Sequence, residues 1–241
     1  MKNTVIFDLD GLLIDSEIIS YQIYRDLAEQ YRCQFSMEEY IHGYSGKTEA
    51  DNIQSLICAY SLPISPEEGI AFADQKEREY FRQGVALKPG AETLLSYLKR
   101  RQYKILLASS STMERAMEVL GRNGISAFFD DMIFGIEVKR GKPYPDIFIK
   151  ACECAKEPPK NCLVLEDSEA GIQAAYSAGI DVICIPDMKT PGRQFCRMAA
   201  AKLPSLEDVI PWLELYPADN QTARFVCQKT IRQFSYPASI P

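Results

Sequence analysis

A doubly wound parallel α/β sheet interrupted by an all-α insert is the architecture this sequence predicts, on three observations. Short apolar runs rich in β-branched residues recur at 4–7, 104–108, 132–134, 162–165 and 182–185. Helical stretches lie between the later runs, and strand-helix-strand alternation is the pattern of a parallel sheet with helices on both faces. The interval 16–86 carries several helix signals and no convincing strand.

Taken in order, the first run is Val5-Ile6-Phe7, apolar throughout and therefore a strand buried on both faces, yet Asp8 and Asp10 follow it at once. In the insert, Ser36 and Glu39 have capping-box spacing, and Ser65-Pro66-Glu67-Glu68 adds proline at the first helical position. A chain that leaves and re-enters a sheet crosses two linkers, expected near 13–16 and 85–90, which are hinge candidates. The expected division is a core domain of 1–15 and 87–215, a helical cap domain of 16–86, and a peripheral tail of 216–241. Leu94, Leu95 and Leu98 mark a helix over 92–101. Ser111-Thr112-Met113-Glu114 reads as a capping box ahead of Ala116, Met117 and Leu120.

With 241 residues and 46% hydrophobic content, the chain can bury a sizeable core. Its 27 Lys+Arg against 33 Asp+Glu give a net charge of -6, so no basic field awaits nucleic acid or an anionic membrane. A small-molecule partner is expected, and a monomer is the favoured state. The 8 cysteines (Cys33, Cys58, Cys152, Cys154, Cys162, Cys184, Cys196 and Cys227) are irregularly spaced without a CxxC pair, and read as reduced, mostly buried thiols. Met1 leads almost directly into a strand without a signal-peptide pattern, and no apolar run approaches the ~18 residues of a membrane span, so a cytoplasmic location is expected. In that setting the Asn220-Gln221-Thr222 sequon is a chance occurrence.

In an open parallel sheet the loops after the strands converge on one edge, and ligands bind there. Asp8 and Asp10 follow the first strand, Ser109, Ser110 and Ser111 the second, Gly141-Lys142-Pro143 lies near the next, and Glu166-Asp167-Ser168 follows the fourth. Each has an ordinary reading alone: aspartates favour turns, serines and Glu-Asp-Ser cap helices, and a lysine before proline is a solvated charge. Gathered at one edge, these carboxylates, hydroxyls and lysine would repel and desolvate one another unless a cation and an anion sat among them. A divalent metal with a phosphate dianion satisfies the set. Mg²⁺ takes a few carboxylate oxygens plus water and substrate oxygens, which Asp8 and Asp167 begin and Glu166 supports. Lys142 supplies a compact positive charge, and Ser109, with Ser110 beside it, hydrogen bonds for phosphoryl oxygens. Asp8 is then placed to attack phosphorus and form an aspartyl-phosphate, and Asp10 to exchange protons with the leaving oxygen.

The segments Phe7-Asp8-Leu9-Asp10-Gly11, Leu107-Ala108-Ser109, Gly141-Lys142-Pro143-Tyr144-Pro145-Asp146 and Glu166-Asp167-Ser168-Glu169-Ala170-Gly171 closely resemble the four motifs of the haloacid dehalogenase superfamily. The likeness is to its phosphatase and β-phosphoglucomutase-like branch, with a helical cap after the first motif, and it extends over residues 1–212. The resemblance implies a Mg²⁺-dependent enzyme acting on a small phosphorylated metabolite. In it Asp8 is the nucleophile, Asp10 the general acid/base whose backbone carbonyl also meets the metal, Ser109 and Lys142 the phosphate ligands with Ser110 a further candidate, and Asp167 a metal ligand with Glu166 another, direct or through water. A second aspartate at position 10 looks like a phosphate-ester enzyme rather than a dehalogenase. In the cap, Ser20 stands by simple register where β-phosphoglucomutase has a histidine. The cap arginine has no counterpart around 43–46, although Lys47 is close, and Lys76 falls where the mutase carries a lysine. These departures favour a phosphatase, with a sugar phosphate as substrate class by resemblance and a phosphosugar mutase as the alternative. Whether water or a substrate hydroxyl reaches phosphorus under the cap decides between the two.

Gly46-Lys47-Thr48 is not a P-loop, because Ile41 stands where glycine is required and no strand precedes it; it reads as a helix start, with Lys47 a candidate substrate contact. The single histidine, His42, supports neither a His-based zinc site nor a Ser-His-Asp triad. A signalling receiver also holds an aspartyl-phosphate on a doubly wound sheet. It needs neither a shielding helical insert nor a proton donor at position 10.

Overall fold

The structure is a computed structural model that describes residues 2–215; the tail 216–241, with the Asn220-Gln221-Thr222 sequon and Cys227, lies outside the described residues. Six strands, β1 (Thr4–Phe7), β2 (Lys104–Ser109), β3 (Asp131–Phe134), β4 (Cys162–Glu166), β5 (Asp181–Cys184) and β6 (Ala201–Lys202), make one parallel sheet in the order β3-β2-β1-β4-β5-β6. The predicted strands are all present, with ends shifted by no more than one residue. Strand β6 was not predicted: Ala201 and Lys202 carry no β signal, and they extend only because they pair with Ile183 and Cys184 at the sheet edge.

The interior strands are buried on both faces, which is why they read as unbroken apolar runs. Val5 and Phe7 join Ile105, Leu107, Leu163, Leu165 and Ile183 in one core, while Ile6 joins Leu106, Ala108, Val164 and Val182 in another. Five helices intervene between β1 and β2, and the first four make up the insert: α1 (Ser16–Gln30), α2 (Met37–Gly43), α3 (Glu49–Tyr60) and α4 (Pro66–Gln83). The chain then forms α5 (Ala91–Arg100), α6 (Met113–Arg122), α7 (Asp146–Ala155), α8 (Glu169–Ser177), α9 (Arg193–Cys196) and α10 (Val209–Leu215). Leu94, Leu95 and Leu98 of α5 and Val119 and Leu120 of α6 cover the first face, and Ile147 and Phe148 of α7 and Ile172 of α8 the second.

The helix starts follow local chemistry. Ser36 accepts from the Glu39 N–H, Thr48 from the Asp51 N–H, and Ser65 and Glu68 form a reciprocal box behind Pro66. Gly46-Lys47-Thr48 is therefore a helix start. At α6 the expected cap shifts by one residue: Thr112, not Ser111, accepts from the Arg115 N–H. The Ser111 hydroxyl instead donates to Asp10, a partner 101 positions away that no local pattern reveals.

The segments entering and leaving the insert pair with each other. Ile14 bridges Leu87, the Asp15 N–H donates to Ala86 O (2.9 Å), and the Lys88 N–H donates to Leu13 O (2.8 Å). Lys88 Nζ adds an ion pair to Asp187 just past β5 (2.5 Å) and a longer one to Asp15 (3.6 Å). The cysteines among the described residues are all free, and no helix among those residues is long and apolar enough to cross a membrane.

Candidate active site

The register of the sheet assembles the site. Phe7 stands opposite Leu107 and Leu165, so Asp8 and Glu166, one residue further on, and Ser109, two residues past Leu107, emerge at the same C-terminal edge. Gly11, at φ +74°, turns the chain toward the insert, and a Cβ there would collide with the Asp167 carboxylate.

Lys142 lies at the centre. Only 7% of its side chain is exposed, and its Nζ donates to Asp8 Oδ1 (2.5 Å), Glu166 Oε1 (2.6 Å) and Ala108 O (3.1 Å), over the ring of Phe148. Burial works against its charge, but Asp8 and Glu166 outweigh burial and hold its ammonium above the ordinary lysine range. It is thus a fixed cation and not the solvated charge its sequence neighbours imply.

Glu166 is fully buried, and its Oε2 accepts from the Asp167 N–H (3.1 Å), the Ser168 N–H (3.0 Å) and the Ser168 hydroxyl (2.9 Å). Ser168 also caps α8, so the carboxylate sits at the positive end of that helix. Gly171 leaves the room: a Cβ there would overlap the Glu166 carboxylate.

Burial pushes the Asp8 carboxyl up to about 7; Lys142 pulls it down, while Glu166 and Asp10 push it further up. Asp167 is raised well above the ordinary range, by burial first and then by Glu166, Asp8 and Asp187, and its buried Oδ1 has no hydrogen-bond partner. One carboxylate oxygen from each of Asp8, Glu166 and Asp167 lies within 4.8 Å of the others. Three carboxylates against one lysine leave an excess of buried negative charge, and this donor set with its orphaned oxygen suits a hard divalent cation.

Asp10 faces a different set of partners. Its Oδ2 accepts from the Ser111 hydroxyl (2.5 Å) and Arg115 Nη1 (2.9 Å), and its Oδ1 from Arg115 Nη2 (2.8 Å). Burial would raise this carboxyl, but the Arg115 charge and its hydrogen bonds outweigh burial and hold it below the ordinary range. Ser109 is buried and its hydroxyl accepts from the Ser111 N–H (3.0 Å); the neighbouring Ser110 is exposed.

The predicted insert contacts fare differently. Ser20 is half-buried beside the Tyr40 hydroxyl, Lys47 is exposed, and Lys76 is paired along its own helix with Glu79 (3.0 Å) and Phe72. Sequence reasoning missed Glu17, which accepts from the Tyr40 hydroxyl (2.9 Å) and Ser45 (2.7 Å). Burial raises its carboxyl, Ser45 and Tyr40 lower it, and the charges of Asp187 and Asp10 add to the rise. It missed Arg115, Lys88 and Asp187 as well, since none carries a local signal beyond ordinary helix and loop composition.

Fold and site together outline a class: α/β proteins with carboxylates gathered at the C-terminal edge of a parallel sheet. Comparison with known proteins narrows it. Residues 5–185 match the haloacid dehalogenase-like hydrolases, and the chain belongs to that family. It is 34% identical over 179 residues, 74% of this chain and 82% of the relative, to the phosphorylated carbohydrates phosphatase of Thermotoga maritima. It is 33% identical to the β-phosphoglucomutase of Bacillus subtilis over 73% of this chain and 80% of that protein. The crystal structure of a candidate β-phosphoglucomutase from Thermotoga maritima matches with a TM-score of 0.76 at 30% identity, over 89% of this chain and 99% of that one. Phosphoric monoester hydrolysis fits both the family and the fold.

Proposed function

We propose that this protein is a Mg²⁺-dependent phosphatase that hydrolyses a small phosphomonoester, a sugar phosphate or related metabolite, through an aspartyl-phosphate on Asp8. The observation that carries the reading is the buried Lys142, held between Asp8 and Glu166 beside an Asp167 oxygen with no partner. Asp8, Glu166, Asp167 and the Asp10 carbonyl would hold Mg²⁺. Bound there, the ion would offset the repulsion between the Asp8 carboxylate and a phosphate dianion.

Lys142, with Ser109 and Ser110, orients the phosphoryl oxygens. Asp8 attacks phosphorus while the ester P–O bond breaks, and Asp10, protonated against the pull of Arg115, gives that proton to the leaving oxygen. Water then attacks the same phosphorus, Asp10 takes its proton, and the bond from phosphorus to Asp8 breaks to release phosphate. Helices α1 to α4 act as the cap of this site, with hinges at the paired linkers. Glu17 of the cap, close enough for the Asp10 and Asp187 charges to act on it, offers a carboxylate, which suits sugar hydroxyls better than a second phosphate. The names of the relatives from Thermotoga maritima and Bacillus subtilis support a carbohydrate phosphate equally for hydrolysis and for mutase transfer.

Phosphate release from a panel of sugar phosphates and other small phosphoesters, with and without Mg²⁺, tests the reading beside Asp8→Asn. Activity that needs the metal and falls by about 10³-fold or more in the variant is expected. Metal-independent release, or a fully active variant, would overturn it. Conversion of β-glucose 1-phosphate to the 6-phosphate without net phosphate release would make the mutase reading correct.

A further inference from the structure

One cation at the site has no part in that chemistry. Arg115, on the first turns of α6, presents Nη1 and Nη2 as a fork to both oxygens of Asp10 (2.9 and 2.8 Å), and its Nη1 also contacts the Ser111 hydroxyl. On its other side the guanidinium lies against α4 of the insert. Its carbon is 4.2 Å from the centre of the Phe81 ring, and Nε is 3.3 Å from Glu77 Oε1, an ion pair without hydrogen-bond alignment. The same two parts of the chain meet again further along, where Arg122 Nη1 donates to Arg82 O and Asn123 Nδ2 to Val85 O (both 3.0 Å).

We propose that Arg115 is a positioning residue for Asp10, and that it makes the orientation of the acid/base depend on how α4 of the insert is seated. The inference rests on the reading of Asp10 as the acid/base. Asp10 lies beyond the end of β1, with 34% of its side chain exposed, so apolar packing does not lock its short side chain. A planar fork fixes the plane of the carboxylate as well as its distance, which a single hydroxyl or a lysine cannot do. The fork is itself held by Phe81 and Glu77, so a shift of α4 moves the guanidinium and Asp10 with it. Arg115 keeps its own protons throughout; the proton that moves is the one Asp10 exchanges with the leaving oxygen and with water.

An ion pair that merely joined the insert to the sheet would leave the same contacts, and the leaving group separates the two roles. An alkoxide needs a proton to depart, whereas a nitrophenolate does not. Asp10→Asn, Arg115→Met, Arg115→Lys and Glu77→Gln are assayed with Mg²⁺ on an alkyl phosphomonoester and on p-nitrophenyl phosphate. The Arg115→Met loss in kcat is expected to be about 10- to 100-fold greater on the alkyl ester than on the aryl ester, within the range of general acid catalysis. Arg115→Lys and Glu77→Gln are expected to lose less, in the same direction. Adding Arg115→Met to Asp10→Asn should cost no more than about 2-fold further on the alkyl ester.

Aryl-ester turnover reports that each variant is folded. Should Arg115→Met not fold, Arg115→Lys and Glu77→Gln carry the same comparison. Equal losses on both esters, an additive loss in the Asp10→Asn background, or a raised KM with kcat kept, which would put Arg115 on the substrate, overturn the inference. If Asp10→Asn itself shows no preference between the esters, the acid/base reading falls first. If Asp10→Asn shows it and the Arg115 variants do not, only the inference falls.

Discussion

Lys142 shows how much one side chain can carry at this site. Its three hydrogen bonds satisfy all three ammonium donors, and two of them neutralise carboxylates that are themselves almost fully buried. Removing one partner of a buried ion pair costs more than the pair contributes, because the remaining charges lose both water and counterion. Lys142→Met is therefore expected to lower stability by about 3–5 kcal/mol in the absence of metal, measured by urea unfolding. The same variant should lose most phosphatase activity even at temperatures where it remains folded. A change below ~1 kcal/mol would mean that Asp8 and Glu166 find other partners when the lysine is gone.

At the scale of elements, the β4-to-α8 turn is the most constrained part of the site. Glu166 ends the strand, Ser168 caps the helix, and the Asp167 N–H with the Ser168 N–H and hydroxyl all donate to one Glu166 oxygen. The helix can start so close to that carboxylate only because position 171 has no side chain, since an added Cβ would overlap it. Gly171→Ala should therefore displace Glu166 instead of stabilising the helix, as the change does at an unobstructed helical site. The expected outcome is a weaker Mg²⁺ affinity by calorimetry, about 10-fold or more, together with lower stability. An alanine variant that binds Mg²⁺ as tightly as the parent protein would show that Glu166 does not support the ion.

At the scale of the whole molecule, the sheet edge brings the three carboxylates of Asp8, Glu166 and Asp167 together against the one ammonium of Lys142. Asp8 is raised to about 7 and Asp167 is raised well above the ordinary range. A carboxyl raised on folding contributes stability that is complete below its unfolded pKa and is lost as pH rises through its folded value. The metal-free protein should thus lose stability between about pH 4 and pH 7 on account of these groups. Mg²⁺ bound by these carboxylates would reverse that loss and would meet fewer competing protons at high pH. Thermal unfolding should show a rise in Tm of roughly 5–10 °C at pH 8 with Mg²⁺ at 100 times its Kd, and a clearly smaller rise at pH 5.5. An equal shift at both values would remove these carboxyls from the metal site.

The order of residues along the chain was enough to place five of the six strands, several helix starts and the carboxylates at the ends of β1 and β4. Each of these rests on short-range physics: runs of β-branched residues, hydroxyl caps, and the rule that ligands meet the ends of parallel strands. Strand β6 escaped because two residues without β preference are held only by their neighbour in the sheet. The mistaken cap at Ser111 has the same origin, since the competing partner, Asp10, is distant in sequence and adjacent in space. Lys142 could be named from its motif, but its burial between two carboxylates could not, and neither could the reach of Arg115 from Asp10 to Glu77 and Phe81. Electrostatic partners act across space over a few ångströms regardless of chain separation, so the identity of the reactive groups is local information. Their charge states, orientation and link to the insert arise only once the sheet has brought distant segments to one edge.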